Sequence, residues 1–202
     1  MKTRLLTFDR GDYLATKILT IAVAVGLPIL LLCLPVYDAL TGQPLRVTLP
    51  VSEAAPISAA DGVTVTPWGV VAVEVAGASA GAWVLSLVPA LVASIAVWVG
   101  AALLWRVVSA AATGAPFTVD TVHCLRGIAL TVILGAAAHW FASGLTHAAL
   151  SRQLLPGEET TLFVSTTGVA PLVVLGVGLL FAMVAEVVAR GVVLEDELEG
   201  VI

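Results

Sequence analysis

The sequence predicts an all-α membrane protein: four transmembrane helices, with a small extracytoplasmic β-rich cap formed by the loops that join them. Three observations predict it. Of 202 residues, 59% are hydrophobic and 11% charged, with a mean hydropathy of +1.07, whereas a soluble domain carries about 25% charge. Too few polar side chains remain to coat a water-facing surface, which argues against a soluble enzyme and a disordered regulator. Four apolar stretches, 14–36, 82–105, 127–149 and 169–189, each reach the roughly 20 residues that a helix needs to cross hydrocarbon. Lys and Arg, finally, gather on one side of those stretches. A single four-span domain covering 1–202 accounts for the whole chain.

The first stretch follows the basic opening Met1-Lys2-Thr3-Arg4, as a signal peptide would. Its apolar part, Ile18 to Val36, is longer than the roughly 7 to 15 residues of a signal core, and no small-x-small cleavage site closes it, so it is read as a retained span. Pro28 in this span and Pro89 in the second predict kinks where neighbouring helices satisfy the freed carbonyls.

Orientation follows from the cations. With both termini inside, the cytoplasmic side holds Lys2, Arg4, Arg10, Lys17, Arg106, Arg126 and Arg190, against Arg46 and Arg152 outside. Seven against two places both termini in the cytoplasm of a multi-pass protein of the cell membrane. The external segments are then 37–81 and 150–168, and 106–126 is internal. Alternation at Leu45, Val47, Leu49 and Val51, at Val63 and Val65, and at Val71, Val73 and Val75 predicts strands, and Thr161 to Thr166 predicts one more. Pairing of these strands into one sheet is the basis of the expected cap, since isolated hairpins are only marginally stable.

Few residues carry chemistry. Glu186 lies about one turn from the inner end of the fourth span, in line with Gly178 and Ala182 at intervals of four and with Ala185 and Ala189 alongside, on what reads as a small-residue face. Glu186 is either a coupling carboxylate for proton or ion movement or half of an i, i+4 pair with Arg190, within reach also of Arg106 or Arg126. His139 sits mid-span in the third stretch, and none of the other spans supplies a second histidine, so a hydrogen bond across helices is favoured over haem or metal. His123 and Cys124 lack the second pair that zinc requires. Cys33 and Cys124 fall on opposite sides of the bilayer and predict no disulfide. No cofactor is expected, and no Walker, dinucleotide, serine-hydrolase or zincin motif occurs, so the chain reads as a non-enzyme. A net charge of −5 argues against direct nucleic-acid binding.

The inner connection, ATGAPFTVDTVHCLRGIAL, and the C-terminus, AEVVARGVVLEDELEGVI, are the specific parts of the chain. Gly114 ends a helix, Pro116 and Phe117 turn the chain, and Thr118 can cap the next helix. Together with Leu125, Arg126, Ala185, Glu186, Arg190, Gly191, Leu194, Glu195 and Asp196, these residues resemble the bacterial four-helix membrane proteins of the domain of unknown function 2975 family. Span number and spacing extend the resemblance to the whole chain. The resemblance implies no activity. It does imply a neighbour, because members are often encoded beside a small helix-turn-helix regulator. Gly114, Pro116, Phe117, Arg126, Gly191, Leu194, Glu195 and Asp196 are therefore the candidate partner-binding residues. The competing reading is a small transporter or channel using Glu186 and His139; an intramembrane enzyme is weaker still. Beyond the lipid bilayer and such a regulator, a homo-oligomer stays open.

Overall fold

The computed structural model describes residues 10–50, 63–65, 70–75, 77–114, 116–154 and 170–199. Four helices dominate: α1, Arg10–Leu40; α2, Ala80–Ala112; α3, Val119–Leu154; and α4, Ala170–Glu199. All four are long and apolar enough to cross a membrane. They run to 31, 33, 36 and 30 residues, or about 45 to 54 Å at 1.5 Å per residue, against a hydrocarbon core of about 30 Å. Each outruns its apolar stretch, because a backbone ladder continues past the apolar residues until a cap ends it.

The caps are local and readable. After α1, Gly42 takes a φ of 71°, so Gln43 N donates to Asp38 O at 2.9 Å and Gly42 N to Ala39 O at 3.4 Å, the paired bonds of a Schellman ending. Ser79 Oγ accepts from Ala82 N at 3.2 Å to open α2. Gly114, with a φ of 82°, closes the turn after α2, and Thr118 Oγ1 accepts from Thr121 N at 3.1 Å to open α3. The expected Gly114 stop and Thr118 cap are thus both present.

Three short strands, β1 (Leu45–Pro50), β2 (Val63–Val65) and β3 (Val70–Val75), form one antiparallel sheet in the order β1-β3-β2. Leu45 pairs with Val75 and Val63 with Val73. The expected β-rich cap is not supported. Strands of 6, 3 and 6 residues make the chain a helical protein bearing a small sheet, and Thr161 to Thr166, the further strand it needed, lies outside the described residues.

The contacts divide the chain into two compact units. The first unit, 1–27 with 94–136 and 169–202, is built around α3: Val122, Cys124, Leu125, Ile128 and Ala129 are all buried, as is Ala185 of α4. Its helices meet at small residues. A Cβ built on Gly135 would stand 2.7 Å from Ala96 Cβ, and one on Gly178 would stand 2.5 Å from Ile133 Cγ1. The second unit, 28–93 with 137–168, buries Leu45 with Ala82 and Leu150, and packs Val75, Trp83 and Leu85 against them. That cluster ties the β1–β3 end of the sheet to α2 and α3. Large apolar side chains such as Leu172, Met183 and Val187 are exposed on α4, and Leu130, Leu134 and Phe141 on α3, which suits hydrocarbon and not water as the surrounding medium.

Candidate functional site

The residues singled out near the α2–α3 connection and on α4 come together in the first unit. Pro116 and Phe117 follow Gly114 in the short connection, and the Phe117 ring lies against Gly191. A Cβ on Gly191 would stand 2.7 Å from Phe117 Cδ1 and 2.9 Å from Cε1. The Gly-Ala-Pro-Phe turn and the Arg-Gly step of α4 are therefore one contact, in which the aromatic ring needs a residue without a side chain opposite it.

Beside this contact stands a small charge network. Arg190 Nε donates to Glu186 Oε1 at 3.2 Å along α4, and Arg126 Nη2 of α3 stands 3.8 Å from Glu186 Oε2. Arg106 is engaged elsewhere: its Nη2 meets both oxygens of Asp120, at 2.9 and 3.1 Å, tying the end of α2 to the start of α3. Glu186 is 54% exposed and its arginines more so. Pairs of that exposure are individually weak, about 0 to 1 kcal/mol, and their role is to set which helices face one another.

Two expectations need correction here. Glu186 does not lie on the packed face of α4, for Gly178 and Ala185 are buried while Ala182 is exposed. A spacing of four advances about 40° around a helix at each step, whereas a spacing of seven drifts only about 20°. The packed line follows Gly178 to Ala185, and Glu186 stands on its flank. The fourth helix does not stop where its apolar stretch ends, at 189, either, since α4 continues as helix through Leu194, Glu195 and Asp196 to Glu199. Leu194 is 60% exposed.

His139 belongs to the second unit. Its Nδ1 stands 3.0 Å from Pro89 O; a carbonyl only accepts, so this nitrogen carries the proton. Thr146 Oγ1 donates to Leu85 O at 3.4 Å, and Leu85 is four residues before Pro89, whose missing N–H leaves that carbonyl without its helical donor. On α1 the same solution recurs. Pro28 frees Ala24 O, and Trp98 Nε1 donates to it at 2.8 Å. Of these donors only His139 is expected from the sequence: proline identifies the freed carbonyl, but only helix pairing identifies Thr146 and Trp98.

The first unit also carries an open apolar pocket of about 470 Å³ to which all four helices contribute, among them Thr20, Gly100, Thr131 and Phe181. The threonine hydroxyls are occupied by their own helices, Thr20 on Thr16 O at 2.8 Å and Thr131 on Gly127 O at 2.7 Å. Among the described residues no cluster of His, Cys, Asp and Glu could hold a metal.

The family model described as "Protein of unknown function (DUF2975)" matches residues 52–202, which take in β2, β3 and all of α2, α3 and α4 together with both motif segments. The helix α1 and strand β1 precede the match, so the resemblance is narrower than the span count implied. No curated protein and no solved structure matches the chain. With three-quarters of its length matched, the chain belongs to the DUF2975 family of proteins of unknown function.

Proposed function

We propose that the chain is a multi-pass protein of the cell membrane with both termini in the cytoplasm, and that it works without catalysis. It holds or signals to a small cytoplasmic helix-turn-helix regulator through the surface of Gly114–Arg126 and Arg190–Glu199. The observation that carries this reading is the contact of Phe117 with Gly191 beside the Arg126–Glu186–Arg190 network, which joins two distant segments into one surface. From that surface α4 runs on with Glu195, Asp196, Glu197 and Glu199 in its final turns and no basic residue there. Acidic groups at a helix C-terminus oppose the helix dipole and repel one another. A basic partner would relieve both effects, and its binding would weaken as salt rises. Transport would require Glu186 and His139 to line a path, and each is engaged by partners of its own.

Orientation comes first. Cys124 is buried and cannot report it; Thr41 and Thr113, exposed in the turns after α1 and α2, can. In a cysteine-free background, Thr41→Cys should react with a membrane-impermeant maleimide on intact cells, and Thr113→Cys only after the cells are opened. The reverse pattern would invert the topology. The partner is tested by pull-down of the neighbouring regulator with the full chain in mild detergent, repeated without 194–202. Recovery should fall several-fold on truncation and fall with added salt. Equal recovery removes the acidic turns from the interface, and no recovery in either case ends the partner reading.

A further inference from the structure

The second unit carries an open groove of about 650 Å³ between α2 and α3. Its α3 side is a single stripe, Ala138, Ala142, Leu145, Ala149 and Arg152, spaced by four, three, four and three residues, and Val88 and Val92 face it from α2. Phe141, Leu145 and Val88 are exposed and stand as rims, 60%, 46% and 38% open, while Ala142 is buried in the floor. The one polar group in the apolar stretch, the Thr146 hydroxyl, is spent on Leu85 O, so it offers the groove no free donor. From Ala138 to Arg152 the stripe runs about 21 Å. That exceeds the roughly 15 Å of hydrocarbon in one leaflet. Among the described residues the one charge in the lining is Arg152, at one end, in the last turn of α3.

From this arrangement we infer that the groove holds one anionic phospholipid, an acyl chain laid along the Ala138–Ala149 stripe and its phosphate on Arg152. This rests on the membrane-spanning part of the proposed function and on nothing about a cytoplasmic partner. Charge complementarity selects this occupant. A lipid supplies both parts in one molecule, an apolar chain for the alanine stripe and a negative head for the guanidinium at its end. Arginine is suited to the head because its planar fork bonds two phosphate oxygens at once and its stem can lie along apolar surface. Arg152 also opposes the partial negative charge at the end of α3; that effect is indifferent to lipid class, and so the two roles separate by experiment.

The test is native mass spectrometry of the purified full chain in mild detergent, supplied with phosphatidylglycerol or phosphatidylcholine vesicles. The wild-type chain should retain one lipid per chain and prefer phosphatidylglycerol by about tenfold, the effect of one charge-assisted contact. Arg152→Gln should erase the preference while leaving residual binding of both lipids. Ala138→Leu, at an exposed position, should abolish retention with the thermal midpoint kept, and Ala149→Leu gives a second groove-filling variant if the first fails to fold. Equal retention of the two lipids by the wild-type chain, an unchanged preference in Arg152→Gln, or a lipid-free dimer would each overturn the assignment. Inorganic phosphate alone should leave the thermal midpoint unmoved. A shift equal to that given by phosphatidylglycerol would mean that Arg152 takes a free anion and no lipid. Carbonate extraction of cell membranes reads the spanning state separately: a chain that stays in the membrane yet retains no lipid overturns the groove and leaves the spanning reading intact.

Discussion

Gly135→Val is expected to lower stability by about 2 to 3 kcal/mol, the upper range for overpacking a close contact, read as a large drop in the thermal midpoint in detergent. The reason is geometric. The atom that a side chain at 135 would meet is Ala96 Cβ, at 2.7 Å, and a Cβ is fixed to its backbone and has no rotamer to escape into. Only a separation of α2 from α3 would make room, and in hydrocarbon such close packing is most of what holds helices together, because lipid chains are as apolar as leucine. Gly178 is as tight: its neighbours are Ile133 Cγ1 at 2.5 Å and Cδ1 at 2.9 Å, with Ala129 O at 3.5 Å behind them, and a β-branched side chain in a helix is nearly fixed at χ1, so Gly178→Ala should cost about as much as Gly135→Ala. Gly176 has nothing within 4 Å, and Gly176→Ala should be neutral or stabilising by about 0.5 to 1 kcal/mol through helix propensity. Moving the methyl group, Gly135→Ala with Ala96→Gly, should recover most of what Gly135→Ala alone loses. Equal midpoints for Gly135→Val and Gly176→Val would show that the α2–α3 contact does not hold the first unit.

The four helices are legible in the sequence because about 20 apolar residues in a row have few other uses. Their ends are less so. Hydropathy places the first stretch at 14–36 and the last at 169–189, whereas α1 spans Arg10–Leu40 and α4 Ala170–Glu199. Apolar character marks what hydrocarbon demands, and the helix persists until Gly42 ends α1. Where a cap residue was recognised, at Gly114 and Thr118, the boundary came out right. The strands at Leu45–Pro50 and Val70–Val75 were visible as alternation, but alternation says nothing of what a sheet leans on, which here is the buried cluster of Leu45, Ala82 and Leu150.

At the candidate site the Glu186–Arg190 pair follows from spacing alone, since residues four apart on a helix are neighbours. The contact of Phe117 with Gly191 does not. It joins residues 74 positions apart, and both had been read only as parts of separate motifs. The choice of Arg126 over Arg106 as the third member of the network was equally hidden, because it depends on Asp120 standing where it captures Arg106. This structural use also explains why a helix connection would carry a Gly-Ala-Pro-Phe turn without any partner being present. That contact builds the platform of the proposed interface, and the acidic turns beyond Leu194, which it does not explain, supply the charge.

Trp98→Phe should cost about 1 to 3 kcal/mol, the range for leaving an acceptor unsatisfied away from water. The aromatic body is kept and only the Nε1–H is lost. That hydrogen is the one donated to Ala24 O at 2.8 Å, and Pro28, buried at the following turn, cannot supply an N–H in its place. Inside a bilayer no water substitutes for the lost donor, and an open carbonyl there is costly. Pro28→Ala tests the cause directly. An alanine at 28 restores an N–H four residues after Ala24, so the carbonyl gains its ordinary helical partner and the tryptophan bond becomes redundant. In that background Trp98→Phe should cost only a few tenths of a kcal/mol, and the two changes should couple by about 1 to 2 kcal/mol in a double-mutant cycle. Strict additivity would mean that Trp98 stabilises through its ring alone and that the proline-freed carbonyl is satisfied in some other way. Thr146→Val against Pro89→Ala forms the parallel cycle in the second unit. Its coupling should be smaller, because the Thr146 bond to Leu85 O is longer at 3.4 Å and a hydrogen bond weakens with that stretch.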